Sequence, residues 1–311
     1  MNNPTKILIV GTGAIGGYFG GRLSQNPGNE VFFLARGKNL SNLKKNGLII
    51  KSINGNAKLV INVSDNPEKF RTNFDLILIS VKSYDTANII KQIKKVVNKN
   101  TIVLSLQNGI DNYKKLIKAF GKSRVLQGIC RIAVEMTGNS VISHTALGII
   151  VIGEEDKKKS ARINNLNNIF TESDIKCKIS EDIIKDIWVK YGWNCIFNTL
   201  TGITAITADK FFADAESEKI IYDFYNEFKK IAKSEGIILN KEDEIKIIDD
   251  TRKFTIFKTS TYQDRLKGKK LEFETFTGYL VKLADKNHIE VPIIRALHKI
   301  IRIVDLSVGS K

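Results

Sequence analysis

Cysteine and histidine are both scarce, with three of each in 311 residues. Cys130, Cys177 and Cys195 are odd in number and far apart, which excludes a disulfide framework and suits a reducing compartment. His144, His288 and His298 show no metal-ligand spacing and no cysteine pair supplies it, so no metal site is expected. His144 falls in an alternating, strand-like segment, which fits a structural role; His298 reads as an exposed helix position. No apolar run is long enough for a membrane-spanning helix. Lys6 and the following ILIVGTGAIGGYFGG superficially resemble a signal peptide, but the apolar run breaks after Val10 in a glycine turn. Acidic residues are outnumbered, 33 Asp+Glu against 49 Lys+Arg, for a formal charge of +16. That favours anionic ligands. The lysines are scattered and no arginine-rich arm or nucleic-acid motif accompanies them, so nucleic acid is not the expected partner. There is no internal repeat or low-complexity tail. The expectation from these features is a soluble cytoplasmic protein.

What is present is a hydrophobic fraction of 42%, enough for substantial cores. The length allows two domains. Residues 6–10, KILIV, read as a fully buried strand. Gly11-Thr12-Gly13-Ala14-Ile15-Gly16 follows, then a helical segment to about residue 25. This is GxGxxG in the context it needs, after a strand and opening a helix. Gly11 permits the tight turn, Gly13 lets a pyrophosphate approach the backbone, and Gly16 lets helix and strand pack closely. The helix N-terminus offers free N–H groups to phosphate.

A second strand is expected at about 30–35. Arg36 stands at its end, where an acid would bind an adenine-ribose diol, and Gly37 and Lys38 follow. A cation there suits a 2′-phosphate, so NADP(H) is expected over NAD(H). Residues 48–64 read as an inserted hairpin with Asn54-Gly55 as a type I′ turn. Residues 74–81 are another buried strand, with Lys82 just past its end. A helix near 85–97 and a strand at 101–106 lead to Gln107-Asn108-Gly109. Ligands bind at the C-terminal ends of strands in such sheets, so Lys82 and Asn108 are site candidates. Further strands are expected near 124–129, 141–145, 148–152 and 175–180, and a helix near 160–172. The charged run 154–159 reads as a solvated loop.

Strand signals then fade. Helices are expected at about 220–236, 241–266, 271–286 and 292–306. The expected architecture is α/β: a Rossmann-type NADP-binding domain over 1–180 and a mostly α-helical substrate and catalytic domain over 181–311. Such a helical domain is compatible with a homodimer.

Residues 187–200, IWVKYGWNCIFNTL, are apolar on nearly every side, as a buried helix would be. Lys190, Asn194 and Asn198 recur at steps of four. Each step advances only about 40° around a helix, so the three form one polar stripe. Either the stripe faces a polar partner or a cavity, because a buried unpaired ammonium is strongly penalised, or Lys190 lies at a rim and reaches water.

Taken together, the glycine turn, Arg36, Lys82, Asn108-Gly109 and WVKYGWNCIFN resemble the ketopantoate reductase (2-dehydropantoate 2-reductase) family over nearly the whole chain. Thr259-Ser260-Thr261-Tyr262-Gln263-Asp264, Leu271-Glu272 and Gly278 extend the likeness. The resemblance implies NADPH-dependent reduction of 2-dehydropantoate to pantoate, in pantothenate and coenzyme A biosynthesis. It implies Lys190 as general acid. It gives Asn194, Asn198 and Ser260 the substrate's carboxylate and hydroxyl, and it sets Asn108 between nicotinamide and substrate. Lys82 and Glu272 would contact the cofactor, and Glu272 would also orient Lys190 or substrate.

There are departures. Glu274, Thr277 and Ile294 stand where the family usually has Asp, Asn and Asn. Residues 205–209, AITAD, lack a polar group some members use, and Cys130-Arg131 replace small hydroxyl residues. These bear on which 2-oxo acid is reduced. The alternatives are an NADP-dependent reductase of another 2-oxo acid and a non-catalytic NADPH-binding sensor.

Overall fold

The computed structural model describes residues 3–253 and 256–308. The chain divides into two compact units. One runs to Gln107 and resumes over Asn112–Ile183; the other takes Asn108–Asp111 and everything from Ile184 onward.

In the first unit β1 (Thr5–Val10) leads into α1 (Ala14–Leu23), β2 (Asn29–Leu34) and α2 (Gly37–Asn46). The strands β3 (Leu48–Ser52), β4 (Ala57–Leu59), β5 (Asn62–Ser64) and β6 (Leu76–Ile79) follow, then α3 (Thr86–Ile93) and β7 (Ile102–Ser105). After α4 (Asp111–Phe120) come β8 (Val125–Gly138), β9 (Val141–Ile152), α5 (Ala161–Thr171) and β10 (Lys176–Ile179). The sheet order is β4-β3-β9-β8-β7-β6-β1-β2-β5, with β10 beside β9. From β5 to β8 every neighbouring pair is parallel. This is the doubly wound order whose direction reverses at β1, where ligands bind beyond the strand ends.

The continuous apolar runs follow from burial on both faces. Ile7 and Ile9 pack with Tyr18 and Phe19 of α1. Leu8 and Val10 point the other way, into a core with Ile89 and Ile93 of α3 and Leu116 and Phe120 of α4.

In this unit three expectations need correction. The hairpin ends at residue 59; residues 62–64 are a separate strand parallel to β2. Its turn is not type I′, which requires positive φ at both central residues. Only Gly55 is positive (φ 96°), and its N–H closes the turn onto the Ser52 carbonyl at 3.1 Å. The second correction is that 141–145 and 148–152 are one strand, β9, bulged against β8. Last, Glu154 is not solvated. It is 8% exposed and accepts from Arg162 Nε at 2.6 Å and Nη2 at 2.5 Å, which holds its carboxyl below the usual range.

His144 is buried. Its Nδ1 meets Ser52 Oγ at 2.8 Å and its Nε2 meets the Ala146 carbonyl at 3.0 Å, with the Tyr18 ring 4.3 Å away. A carbonyl accepts only, so Nε2 carries the proton and Nδ1 accepts from Ser52. Burial pushes the imidazole pKa below 6.5. The unfolded chain therefore binds the extra proton first, and this contribution to stability is present above about pH 6.5 and is lost as pH falls below it. Thermal midpoints measured from about pH 7.5 down to about 5.5 should fall. His144→Gln, which cannot take up the proton, should fall less steeply; parallel slopes would refute the assignment.

The second unit is built on α6 (Ile183–Thr204). Gly192 lets α7 (Ala215–Ser234) close on it, since a Cβ there would lie 2.6 Å from the Phe228 ring. The single helix expected over 241–266 is several pieces. α8 (Lys241–Glu244) opens on an Asn240–Asp243 capping box, a π turn covers Ile245–Asp249, and α9 (Asp250–Arg252) follows. Residues 254–255 lie outside the described residues. Thr259 then caps α10 (Ser260–Leu266), its hydroxyl accepting from the Tyr262 N–H at 3.1 Å.

The helix expected from 271 starts instead with a π turn at Glu274–Gly278, continuing as α11 (Tyr279–Lys286). α12 is Pro292–Val308. His298 is half-buried, not exposed: its Nδ1 pairs with Thr277 Oγ1 at 3.0 Å and its ring lies against Phe273. Among the described residues no helix is long and apolar enough to cross a membrane.

Candidate active site

In the first unit the residues Gly11, Thr12, Gly13, Ala14, Ile15 and Gly16 form the bend from β1 into α1. Gly11 has φ 95°, and a Cβ there would lie 2.6 Å from Val81 Cγ1. At Gly16 a Cβ would meet the Gly11 carbonyl at 2.2 Å and Ser80 Oγ at 2.4 Å. Those two glycines are required by the protein's own packing. Gly13 is different. A Cβ on it would meet nothing within 4 Å, so the fold leaves open the space in front of it. Gly13 also caps α1 without a side-chain hydrogen bond, and the first turn carries no acid. These features fit a phosphate at the helix N-terminus. Thr12 faces inward, its hydroxyl bonded to the Leu34 carbonyl at 3.2 Å, and Asn39 Nδ2 donates to its carbonyl at 2.7 Å.

Arg36 follows β2 and is exposed, and its Nη2 is 2.5 Å from Asp85 Oδ2. Lys82 is half-buried just past β6, at the cap of the short turn Ser83–Asp85.

The second unit gathers the other candidates. Asn108 lies in its Asn108–Asp111 segment. Lys190 Nζ donates to Asn108 Oδ1 at 3.2 Å, and Asn194 Nδ2 reaches the same oxygen at 3.4 Å. Asn198 Nδ2 donates to Asn194 Oδ1 at 3.1 Å. Asn198 Oδ1 in turn accepts from Ser260 Oγ and from the Thr261 N–H, each at 3.2 Å. Five candidates therefore form one hydrogen-bonded line: Ser260, Asn198, Asn194, Asn108, Lys190. Asn194 and Asn198 are 5% and 1% exposed. Lys190 is half-buried and Ser260 exposed, so the line runs from an interior of neutral amides to a cation at one end and a hydroxyl at the other. Glu272 is buried in the segment entering the second π turn.

Sequence reasoning missed what steadies this line. Gly109 has φ 87°, and a Cβ on it would lie 2.3 Å from Thr275 Cγ2. Tyr191, fully buried beside Lys190, donates to the Thr275 and Phe276 carbonyls at 2.9 and 3.0 Å. Those carbonyls lie in the π turn. Burial raises the Tyr191 pKa well above normal, so it stays a donor. Only its position next to Lys190 could have signalled it.

The ketopantoate reductase PanE/ApbA family model matches residues 7–157, and the model of that family's C-terminal domain matches 182–305. The uncharacterized oxidoreductase YkpB of Bacillus subtilis (strain 168) is 29% identical over 301 residues, covering 94% of this chain and 96% of its own. A 2-dehydropantoate 2-reductase of Pyrococcus abyssi (strain GE5 / Orsay) is 29% identical over 310 residues, 98% of this chain and 100% of its own. A crystal structure of a PanE/ApbA family ketopantoate reductase from Ralstonia eutropha JMP134 superposes with a TM-score of 0.89 at 27% identity, covering 98% and 99% of the two chains. With a Rossmann-type unit and a helical unit both accounted for, the chain belongs to the ketopantoate reductase family.

Proposed function

We propose that the protein reduces 2-dehydropantoate to pantoate with NADPH, in the synthesis of pantothenate and coenzyme A, and that Lys190 is the proton donor. The observation that carries this reading is the hydrogen-bonded line from Ser260 through Asn198, Asn194 and Asn108 to Lys190. It offers neutral donors and acceptors suited to a carboxylate and a hydroxyl, and a single cation suited to a carbonyl oxygen.

The first unit holds the dinucleotide. Residues 11–16 would take the pyrophosphate, Arg36 the 2′-phosphate, and Lys82 another part of the cofactor. When bound, the dihydronicotinamide supplies the hydride. As the carbonyl becomes an alkoxide, the Lys190 ammonium stabilises the growing charge and then gives up a proton to that oxygen. Asn108 fixes Nζ through its Oδ1. Solvent restores the proton to Lys190.

The glycine turn gives a split outcome. Gly13→Ala should leave the thermal midpoint unchanged or slightly higher, because the added methyl meets nothing, yet weaken NADPH by about tenfold or more by filling the open space. Gly16→Ala should lower the midpoint as well, by about 1–3 kcal/mol of stability, because its methyl collides with backbone. Calorimetry and NADPH titration of the two variants check this; equal behaviour would refute it.

A second reading, reduction of a different 2-oxo acid, is favoured by one observation. Thr277, standing where the family usually has Asn, spends its hydroxyl on the Phe273 carbonyl and His298. Loss of nicotinamide absorbance should be followed with 2-dehydropantoate, 2-oxoisovalerate and pyruvate. Turnover with 2-dehydropantoate far above the others supports the first reading. Turnover only with another oxo acid moves the conclusion to the second. NADPH binding without turnover on any oxo acid makes the protein a sensor.

A further inference from the structure

Val10 at the end of β1 is paired with Leu34 of β2 on one side and Ile79 of β6 on the other. With strands about 4.8 Å apart, the ends of β2 and β6 are about 10 Å apart, with the glycine turn between them. Arg36 follows β2 by two residues, and Asp85 follows β6 by six. Their side chains meet at 2.5 Å, so the ion pair spans the crevice beyond β1. Asp85 stands at the N-cap of α3, but its side chain makes no cap hydrogen bond to that helix. Its carboxylate is nonetheless only 16% exposed, while the Arg36 side chain is 73% exposed. The carboxylate is thus the more buried partner and the guanidinium the more exposed one.

We propose that Asp85 is a specificity-determining residue, a built-in counter-ion that competes with the cofactor's 2′-phosphate for Arg36. This rests on the assignment of Arg36 to that phosphate. An ion pair with one partner this exposed is worth less than about fivefold in an equilibrium constant, whereas a phosphate engages a guanidinium through two charge-assisted hydrogen bonds. The phosphate therefore wins Arg36, but it must break the pair and settle near a carboxylate of its own sign. Asp85 thus taxes NADPH. A cofactor with a 2′-hydroxyl leaves the pair intact and is not taxed. The arrangement narrows the preference for NADPH that Arg36 and Lys38 would otherwise give.

The test is the dissociation constants of NADPH and NADH, by fluorescence titration, for the full-length protein and for Asp85→Asn, Arg36→Ala and the double variant, with thermal midpoints alongside. Asp85→Asn should tighten NADPH about 3- to 10-fold and move NADH by less than about twofold. In the Arg36→Ala background the same change should give a smaller gain, because the competition for the cation is gone and only the like-charge repulsion is relieved. An Asp85→Asn protein with unchanged NADPH affinity, or with both cofactors weakened together, overturns the proposal. NADPH preference that is lost in Arg36→Ala but untouched by Asp85→Asn leaves the 2′-phosphate assignment standing and overturns the Asp85 role alone. Preference for NADH in all four proteins overturns both.

Discussion

Lys190→Ala is expected to cut turnover by about 10²- to 10⁴-fold, the range for loss of a general acid, while NADPH affinity stays within about twofold. The separation follows from the proposed roles: the glycine turn and Arg36 take the cofactor's phosphates, and Lys190 the carbonyl oxygen of the substrate. Truncation does not leave the Asn108 amide adrift either, because Asn194 Nδ2 still donates to the same oxygen. Lys190→Arg sharpens the test. It keeps a positive charge near the carbonyl oxygen but cannot release a proton near neutral pH. If Lys190 acts only as a charge, the arginine variant should recover most of the turnover. If it is the proton donor, arginine should restore substrate binding, seen as a lower KM, and leave kcat low. Near-normal turnover by the alanine variant would sink the catalytic assignment altogether.

How much of this was readable in the sequence depended on how local each feature is. The β1–glycine turn–α1 segment was legible in part for that reason: a Cβ at Gly16 would meet the Gly11 carbonyl and Ile9 of the same segment, whereas Gly11 must avoid Val81, which comes from beyond β6. The Lys190–Asn194–Asn198 stripe was legible for the same reason: a step of four needs only a helix to bring the side chains together, and Asn198 does donate to Asn194. Asn108 and Ser260 are different. They join that line across 82 and 62 residues of sequence, and only the family resemblance singled them out together.

The π turns were not legible. The helix widens into a π turn at residues 274–278, where Tyr191, from another helix, donates to the Thr275 and Phe276 carbonyls. No periodicity within the segment encodes that. The hairpin turn was misread because Asn-Gly is compatible with several turns, and the hydrogen bond from Gly55 to Ser52 selects among them. Arg36 gave a cofactor signal on its own strand, but the carboxylate facing it comes from 49 residues away.

The second large effect concerns stability. Asn198→Leu, a change of similar size in a site 1% exposed, is expected to cost the second unit about 3 kcal/mol. Asn198 uses both ends of its amide. Its Oδ1 takes the Ser260 hydroxyl and the Thr261 N–H, and its Nδ2 serves Asn194. Leucine would leave the Thr261 N–H and the Asn194 Oδ1 unpaired in residues 3% and 5% exposed. Each stranded group costs about 1–3 kcal/mol, more than the added apolar contact returns. The Ser260 hydroxyl can turn to water and adds little. A loss of this size lowers the thermal midpoint by about 6–12 °C. Ser260→Ala supplies the contrast. It removes a hydrogen bond from the same line, but at an exposed position, and should shift stability by less than about 0.5 kcal/mol while still raising KM if the hydroxyl binds substrate. An Asn198→Leu protein that melts with the wild type would mean that the line is not a buried hydrogen-bonded unit, and the site built on it would lose its scaffold.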